Sequence, residues 1–586
     1  MITFLTDDAK QKALLTELVS ELPAAKELSL SLHFEKSDVP GLSVRGEGAD
    51  WFLTYSDRAS LSRAVALAVQ RASEGAYDEI CEAPLFGTLG VMADMSGNAV
   101  LKPAAVRRFC RLLAVLGYNA LVLKTVKGNA ICEAIDFDAF AGRYTAEELC
   151  ELDAYAASLG IDLIPCIPFS ELPAYASNEA FEHAIDRTLS VCAARLQSRR
   201  VCFGFDRPAL PGCDAYPIPM GNCPTEALPA RMEILSRLCD KHGYRASMGG
   251  GVLERLENAD LPFTFAVSEC TSVDQNTYRN LLTALAQKTD NVGFVGGDNG
   301  WYGAVPLSWL SHTVACNTLP VLQEVQPKEV FVAMWRDDTG ACPYFATFPV
   351  LFAYAETAWA RTDYTEHLSR RMLALCGVDF YDMVPLEDIP AIRCRLNTGR
   401  VIVTPARYML YDRVMPGDFA AHSAGGLIHL RSMTDWMAER IERAGEFAYV
   451  FEAQVAFCNL LACKAELSEG SRRAYRKGWT DVLRQNYDTG FDKAIDAVDH
   501  FLVKLRAQWE RECMDFGMDL IEERMELVKS RIMDAKPLLG DYLDGKIEDP
   551  DFLQWQQKPY IYEEGLIHDR EALLLSSFDL IIKGNG

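Results

Sequence analysis

The sequence of 586 residues lacks the cysteine patterns of metal-binding and disulfide-stabilised proteins. Its 18 cysteines are scattered, and none forms a CxxC pair or stands at zinc-ligand spacing from a histidine. We therefore expect no bound metal and no other cofactor. Most of the cysteines are interpreted as buried free thiols, which suit a reducing cytoplasm.

Long hydrophobic runs are also missing. No stretch approaches the length of about 18 apolar residues that a membrane-spanning helix needs. Met1 is followed by ITFLTDDAKQKALL, which has neither the basic start nor the apolar core of a secretory signal. We therefore expect a cytoplasmic protein without a membrane segment. Internal repeats and low-complexity linkers are absent from the sequence as well.

The sequence has fewer basic than acidic residues. The chain has 58 Lys and Arg residues against 82 Asp and Glu residues, a formal net charge of −24. A protein this acidic repels phosphate backbones, so nucleic acid is excluded as a partner. Its composition, 49% hydrophobic and 24% charged, is ordinary for a soluble globular enzyme. A chain of this length is expected to form several domains.

The hydrophobic pattern predicts three domains. In residues 1–85, two amphipathic helices alternate with short half-buried strands, which indicates a small α/β domain. In residues 86–362, buried strands alternate with helices in the rhythm of a (β/α)8 TIM barrel. In residues 363–586 the strand signals end, and long helical patterns predict an all-helical C-terminal domain. One of these helices carries an apolar stripe formed by Ile495, Val498, Phe501, Leu502, Leu505 and Trp509.

The residues that follow the barrel strands form the candidate site, because barrel enzymes place their chemistry there. The charged and indole side chains at these positions are Asp94, Lys124, Lys127, Asp206, Arg207, Glu269, Asp298, Trp301, Trp335, Asp337 and Asp338. Carboxylates accept hydrogen bonds from hydroxyls and an indole covers the apolar face of a pyranose, so the set suits a saccharide or another small-molecule ligand. Solvated side chains are the simpler interpretation of Lys124 and Lys127, and anion binding is the alternative.

Four segments carry a resemblance to a known family. These are VMADMSGNAVLKPAAVRRFCRLLAVLGYNAL, GRYTAEELCELDAYAASLGIDLIPCI, CFGFD and EFAYVFEAQVAF. Together they resemble the cytosolic bacterial β-N-acetylhexosaminidases of glycoside hydrolase family 20, over essentially the whole chain. The resemblance implies a small α/β domain, a TIM barrel and a helical C-terminal domain.

The resemblance also implies a substrate-assisted mechanism. In that family the 2-acetamido oxygen of the sugar attacks the anomeric carbon, an Asp orients the acetamide, and the adjacent Glu protonates the leaving oxygen. The family's Asp-Glu pair falls on Asp206 and Arg207, so Asp206 keeps the orienting position and Arg207 replaces the acid. A guanidinium cannot deliver a proton near neutral pH, and general acid catalysis contributes about 10²–10⁴-fold.

Other positions depart from the family pattern too. The clamping Arg after strand 1 is Gly97, the Trp-Ser-Asp after strand 5 is Gly249-Gly250-Gly251, and the sugar-binding Glu after strand 8 matches Ala341. The Trp-Asp-Tyr after strand 6 has become Ser268-Glu269-Cys270, in which Glu269 is a conservative substitute. The resemblance implies that the ligand-binding positions retained from the family are Asp94, Trp301, Trp335 and Asp337, with Asp338 beside them.

Three hypotheses follow from this pattern. The first is a non-catalytic or repurposed relative that binds a saccharide in the old cleft. The second is an exo-glycosidase with an altered, acidic or modified substrate, which uses Glu269, Asp337 or Asp338 as acid or base beside Asp206. The third is a scaffold protein that acts through its helical C-terminal domain. The sequence leaves a homodimer open.

Overall fold

The computed structural model describes residues 2–95, 98–124, 144–167, 177–205, 225–256, 261–300, 306, 308–336, 341–362, 364–384, 409–415 and 426–554. The chain divides into two compact units. The first consists of Met1–Asn299, Leu310–Trp335 and Thr347–Met383, and the second of Gly300–Trp309, Arg336–Ala346 and Val384–Gly586. The three predicted domain ranges stay a prediction.

The first unit begins with a five-stranded mixed sheet. Its strands are β1 (Ile2–Leu5), β2 (Leu30–Lys36), β3 (Leu42–Glu47), β4 (Asp50–Tyr55) and β5 (Ile80–Glu82), in the order β1-β2-β4-β3-β5. Helices α1 (Ala9–Ser20) and α2 (Arg58–Glu74) accompany it. The sheet buries alternate residues such as Trp51 and Leu53 on one face, which is the period-2 pattern read from the sequence.

Helix α2 has clear start and stop signals. Its N-cap Asp57 accepts a hydrogen bond from the backbone N–H of Ser60, whose side chain bonds back to Asp57 in a capping box. The helix ends at Gly75, whose φ of 67° lies in the left-handed region that glycine adopts without strain. Small apolar residues along its length are buried, so the helix lies in the interior of the unit.

Eight parallel strands close into a barrel, which confirms the predicted fold class. They are β6 (Thr88–Asp94), β7 (Ala120–Lys124), β8 (Asp162–Ile167), β9 (Arg200–Phe203), β10 (Arg245–Gly249), β11 (Thr264–Ser268), β12 (Val292–Gly297) and β13 (Glu329–Met334). The helices that follow are α3 (Pro103–Leu116), α4 (Ala146–Ser158), α5 (Asn178–Arg195), α6 (Leu228–His242), α7 (Gln275–Ala286), α8 (Ser308–Val325), α9 (Pro349–Ala360), α10 (Thr365–Cys376) and α11 (Phe380–Met383).

Contacts at the amino ends of the strands show which residues face the barrel interior. The Glu329 carboxylate on β13 accepts hydrogen bonds from Arg200 Nη2 on β9 at 2.9 Å and from Ser247 Oγ on β10 at 2.6 Å. These strands are not neighbours of β13, so the side chains meet across the interior. Alternation then points Phe331 and Ala333 inward. A Cβ on Gly90 would overlap the Phe331 ring, so only glycine fits there.

The second unit contains long helices, as the sequence predicts. They are α12 (Gly426–Ile441), α13 (Ala448–Ala465), α14 (Ser471–Lys477), α15 (Thr480–Gln485), α16 (Phe491–Glu512), α17 (Met518–Met533), α18 (Ala535–Leu543) and α19 (Asp551–Gln554). In α16 the predicted stripe is buried at Val498, Phe501, Leu505 and Trp509, while Ile495 and Leu502 are half-buried. No helix in the described parts of the chain is long and apolar enough to span a membrane.

A buried ion cluster stabilises the first unit. Glu356 on α9 accepts hydrogen bonds from Arg63 on α2 at 2.9 Å and from Arg371 on α10 at 3.1 Å, and it contacts His367 at 2.7 Å. Arg63 also bonds to Glu82 on β5 at 2.6 Å. Burial by itself would raise the pKa of Glu356, but the guanidinium groups of Arg371 and Arg63 hold that pKa well below its usual range.

We expect Glu356→Gln to destabilise the protein strongly. The substitution removes one charge from a fully buried network and leaves two guanidinium groups without their shared carboxylate, a change that costs about 3–5 kcal/mol. Differential scanning calorimetry should show a lower unfolding temperature. Glu79→Gln is the control, because Glu79 is exposed and its neutralisation should leave the unfolding temperature unchanged. Equal transitions for the two variants would contradict a stabilising role for the cluster.

The same cluster should give an acid-dependent stability. Because the pKa of Glu356 is lower in the folded than in the unfolded protein, its contribution is fully present above the unfolded value of about 4.3 and is lost as the pH falls toward the folded value. The difference in unfolding temperature between the wild type and Glu356→Gln should therefore shrink below about pH 4.3. A difference that stays constant down to the acid limit of folding would show that the Glu356 charge is not responsible.

Candidate ligand site at the carboxyl ends of the barrel strands

The structure describes part of the predicted site. Asp94, Glu269 and Trp335 are described, as are Lys124 and Asp298. The remaining candidates lie outside the described residues: Lys127, Asp206, Arg207, Trp301, Asp337 and Asp338. The assignment of Asp206 and Arg207 therefore stays a prediction from the sequence.

Asp94, Lys124 and Trp335 stand at one level of the barrel wall. Asp94 on β6 pairs in register with Lys124 on β7, and Trp335 directly follows Met334, which pairs with Ala93. Lys124 and Trp335 are separated by strand β6, yet the Lys124 Nζ lies 4.6 Å from the centroid of the Trp335 ring. Side chains two strands apart converge in this way on the concave inner side of a barrel, so both point inward.

Lys124 is a buried cation that has no polar partner among the described residues. Its exposed fraction is 1%, so the interpretation as a solvated lysine is wrong. Within the described chain its Nζ makes no hydrogen bond and no ion pair, although Asp94 is its neighbour in the sheet. Burying an ammonium costs several kcal/mol, and a desolvated cation–π contact returns about 2 kcal/mol. The Trp335 ring therefore offsets only part of this cost.

Trp335 is not an open platform for a sugar. The residue is 4% exposed, and the Lys124 ammonium occupies one face of its ring. The indole therefore holds the cation at the strand ends, a role that the sequence pattern did not indicate. The only indication in the sequence is that a lysine stands at the end of β7 and a tryptophan directly after the end of β13.

Glu269 is engaged by the loop that follows its strand. Its Oε1 accepts hydrogen bonds from the Thr271 N–H at 2.8 Å, the Thr271 Oγ1 at 3.0 Å and the Ser272 N–H at 2.9 Å. The residue is 7% exposed. These contacts suit a structural carboxylate better than a proton donor.

Asp298 and Asn299 follow β12 and are both fully buried. The Asp298 Oδ2 accepts a hydrogen bond from Thr347 Oγ1 at 2.5 Å, and its backbone oxygen accepts one from Ser311. Asn299 has a φ of 54°, in the left-handed region that non-glycine residues seldom adopt. Its Nδ2 contacts the Ser311 Oγ at 3.4 Å, whereas its Oδ1 has no partner among the described residues. Sequence reasoning missed Asn299, although Asn is enriched at such φ values.

Metal binding has no support from the described side chains. Across the described ranges, no group of three or more His, Cys, Asp or Glu residues is arranged to hold an ion.

Comparisons with known proteins agree with the sequence resemblance. Residues 379–568 match the sequence model of the Glycoside Hydrolase 20C C-terminal domain. This match confirms the resemblance to glycoside hydrolase family 20 in the C-terminal region. No curated protein sequence matches the chain.

Similar folds are found among solved hexosaminidases. A GH20 β-N-acetylhexosaminidase from Streptomyces coelicolor A3(2) is 16% identical, covers 64% of this chain and 90% of its own, and has a TM-score of 0.47. A GH20 exo β-N-acetylglucosaminidase from Vibrio harveyi, in complex with N-acetylglucosamine, is 16% identical, covers 63% and 72%, and has a TM-score of 0.43.

We expect Glu269→Ala to loosen the loop after β11. The substitution leaves two partly buried N–H groups and the Thr271 hydroxyl without their acceptor, which costs about 1 kcal/mol. Chemical denaturation should show the loss, and hydrogen exchange should become faster at Thr271 and Ser272. Glu254→Ala is the matched control, because Glu254 is exposed at the end of a short helical turn. Unchanged exchange in Glu269→Ala would contradict the structural role.

Proposed function

We propose that this protein is a family 20-like relative that binds a saccharide at the carboxyl ends of its barrel strands without hydrolysing it. The observation that carries the proposal is Arg207, which stands in the sequence where the resemblance implies the family's general acid. An arginine stays protonated at any physiological pH, so it has no proton to deliver to a leaving oxygen.

The described carboxylates support the proposal. A substitute acid must reach the glycosidic oxygen within hydrogen-bond distance. Asp298 accepts a hydrogen bond from Thr347 Oγ1, and the Glu269 carboxylate accepts three hydrogen bonds from its own loop. These partners within the chain favour structural roles for the two carboxylates over that of a substitute acid.

The site nevertheless keeps features that suit a ligand. At the ends of two barrel strands, where barrel proteins bind their ligands, Lys124 and Asn299 each carry a buried polar atom that has no partner in the part of the chain that the structure describes. The resemblance adds Asp206 as the residue that would orient an acetamido group, and Trp301, Asp337 and Asp338 as further sugar contacts. Buried polar atoms left unpaired are costly, and a ligand with hydroxyl and charged groups would satisfy them.

Hydrolysis of 4-nitrophenyl N-acetyl-β-glucosaminide tests directly whether the protein lacks a general acid for the family reaction. We expect neither the wild type nor Arg207→Glu to release nitrophenol above the rate without enzyme, because the clamp and aromatic walls have changed together with the acid. Arg484→Glu, an exposed substitution, controls for the added carboxylate. Turnover by the wild type would overturn the proposal. Turnover by Arg207→Glu alone would show a preserved pocket that lacks only its proton donor, and would support a family 20 ancestry of the site.

Calorimetric titration with a panel of mono- and disaccharides tests the binding half of the proposal. At least one sugar should bind with a dissociation constant in the micromolar range, which corresponds to a binding free energy of about −8 kcal/mol. The sugar should not be consumed. The same panel as aryl glycosides, including acidic sugars, separates binding from turnover. Hydrolysis of an acidic glycoside would establish the altered exo-glycosidase instead. Absence of binding across the panel would refute a saccharide ligand.

A further inference from the structure

We infer that the ligand of this site carries an oxyanion, a carboxylate or a sulfate on a saccharide, and that Lys124 is its counter-ion. The inference rests on the proposed function, because it names the chemical class of the ligand that the barrel end would bind. It makes Lys124 a specificity-determining residue.

The first step of the argument is the unusual state of the Lys124 ammonium. It is buried, it stands at the carboxyl end of β7, and it has neither a hydrogen bond nor an ion pair within the described chain. Buried charges are normally paired, because an unpaired charge loses its hydration without compensation. A ligand that supplies an oxyanion to this position would satisfy the Nζ donors, which the Trp335 ring cannot do.

The second step is the fixed position of the cation. The Trp335 ring lies 4.6 Å from Nζ, and the register of β13, β6 and β7 sets both residues at one level. A lysine normally loses much rotamer freedom when it binds an anion. Here the barrel wall has already restricted the side chain, so less entropy remains to be lost on binding.

The third step is a second buried polar group, which accepts hydrogen bonds where the Lys124 ammonium donates them. Asn299 Oδ1, after the end of β12, is a buried acceptor without a partner among the described residues, on a residue with a φ of 54°. An acceptor of this kind fits a hydroxyl or amide N–H of a sugar, and the requirement for an anion comes from Lys124.

The overall acidity of the protein does not oppose the inference. A net charge of −24 repels anions at long range, but this repulsion is screened beyond about 8 Å at physiological salt. A desolvated pair at short range is screened much less. A preference that depends on Lys124 should therefore survive an increase in salt concentration, whereas non-specific attraction to surface lysines would not.

The experiment compares matched pairs of sugars that differ in one charged group. Isothermal titration would use N-acetylglucosamine against its 6-sulfate and glucose against glucuronic acid. We expect the anionic member of at least one pair to bind the wild type about tenfold more tightly, and the identity of that pair tells sulfate from carboxylate. In Lys124→Met, which keeps the bulk of the side chain, the preference should disappear, and in Lys124→Arg it should remain in part.

A matched control and two opposing results make the test decisive. Lys288→Met removes an exposed lysine near the end of α7 and should leave the preference intact. Equal affinity of the wild type for both members of each pair would overturn the inference while leaving saccharide binding in place. Absence of binding by every sugar would overturn the proposed function itself. The wild-type comparison needs no variant, so the inference can fail even if Lys124→Met does not fold.

Discussion

The pairing of β13 with β6 is the contact on which the candidate site depends. It closes the barrel, and its register runs from Glu329 opposite Thr88 to Met334 opposite Ala93. Because β6 also pairs with β7, the last residues of three strands are brought to one level. Lys124 and Trp335 are 211 positions apart in the numbering of the chain, and only this closure lets them meet. A shift of one residue in either pairing would turn one of the two side chains outward, since successive residues alternate between faces.

Two other buried charges of the described chain, Glu356 and Lys464, have hydrogen-bond partners of a kind that Lys124 lacks among the described residues. Glu356 is surrounded by two arginines and a histidine, so its charge is compensated inside the first unit. The other buried lysine of the described chain, Lys464 in the second unit, donates to the backbone oxygens of Met409, Leu410 and Asp412 at 2.6, 2.7 and 2.8 Å. Its three donors are thus satisfied by three acceptors. Lys124, by contrast, has no such acceptors among the residues that the structure describes.

Much of the fold could be predicted from the sequence because the relevant signals are local. Eight short apolar segments, each followed by a helical pattern, gave the eight barrel strands, and the stripe through Val498 and Phe501 gave a buried helix face. The site was less predictable, since exposure depends on contacts between distant strands. Lys124 looked like a solvated lysine because nothing near it in sequence shows that Trp335 covers it. The hydrogen bonds of Glu269 to its own loop could not be predicted either, because the sequence does not show which way the carboxylate turns.

Glu269 and Lys124 bear on the proposed function in different ways. Glu269 accepts three hydrogen bonds from its own loop, which favours a structural role for its carboxylate. Lys124 is left unsatisfied in the interior, and an unsatisfied buried cation is a cost to the folded state. Selection for stability alone would favour an apolar residue of similar size at this position, because such replacements of buried charges are often neutral or stabilising. A lysine at this position therefore agrees with the inferred anionic ligand, whose oxyanion would compensate the buried charge.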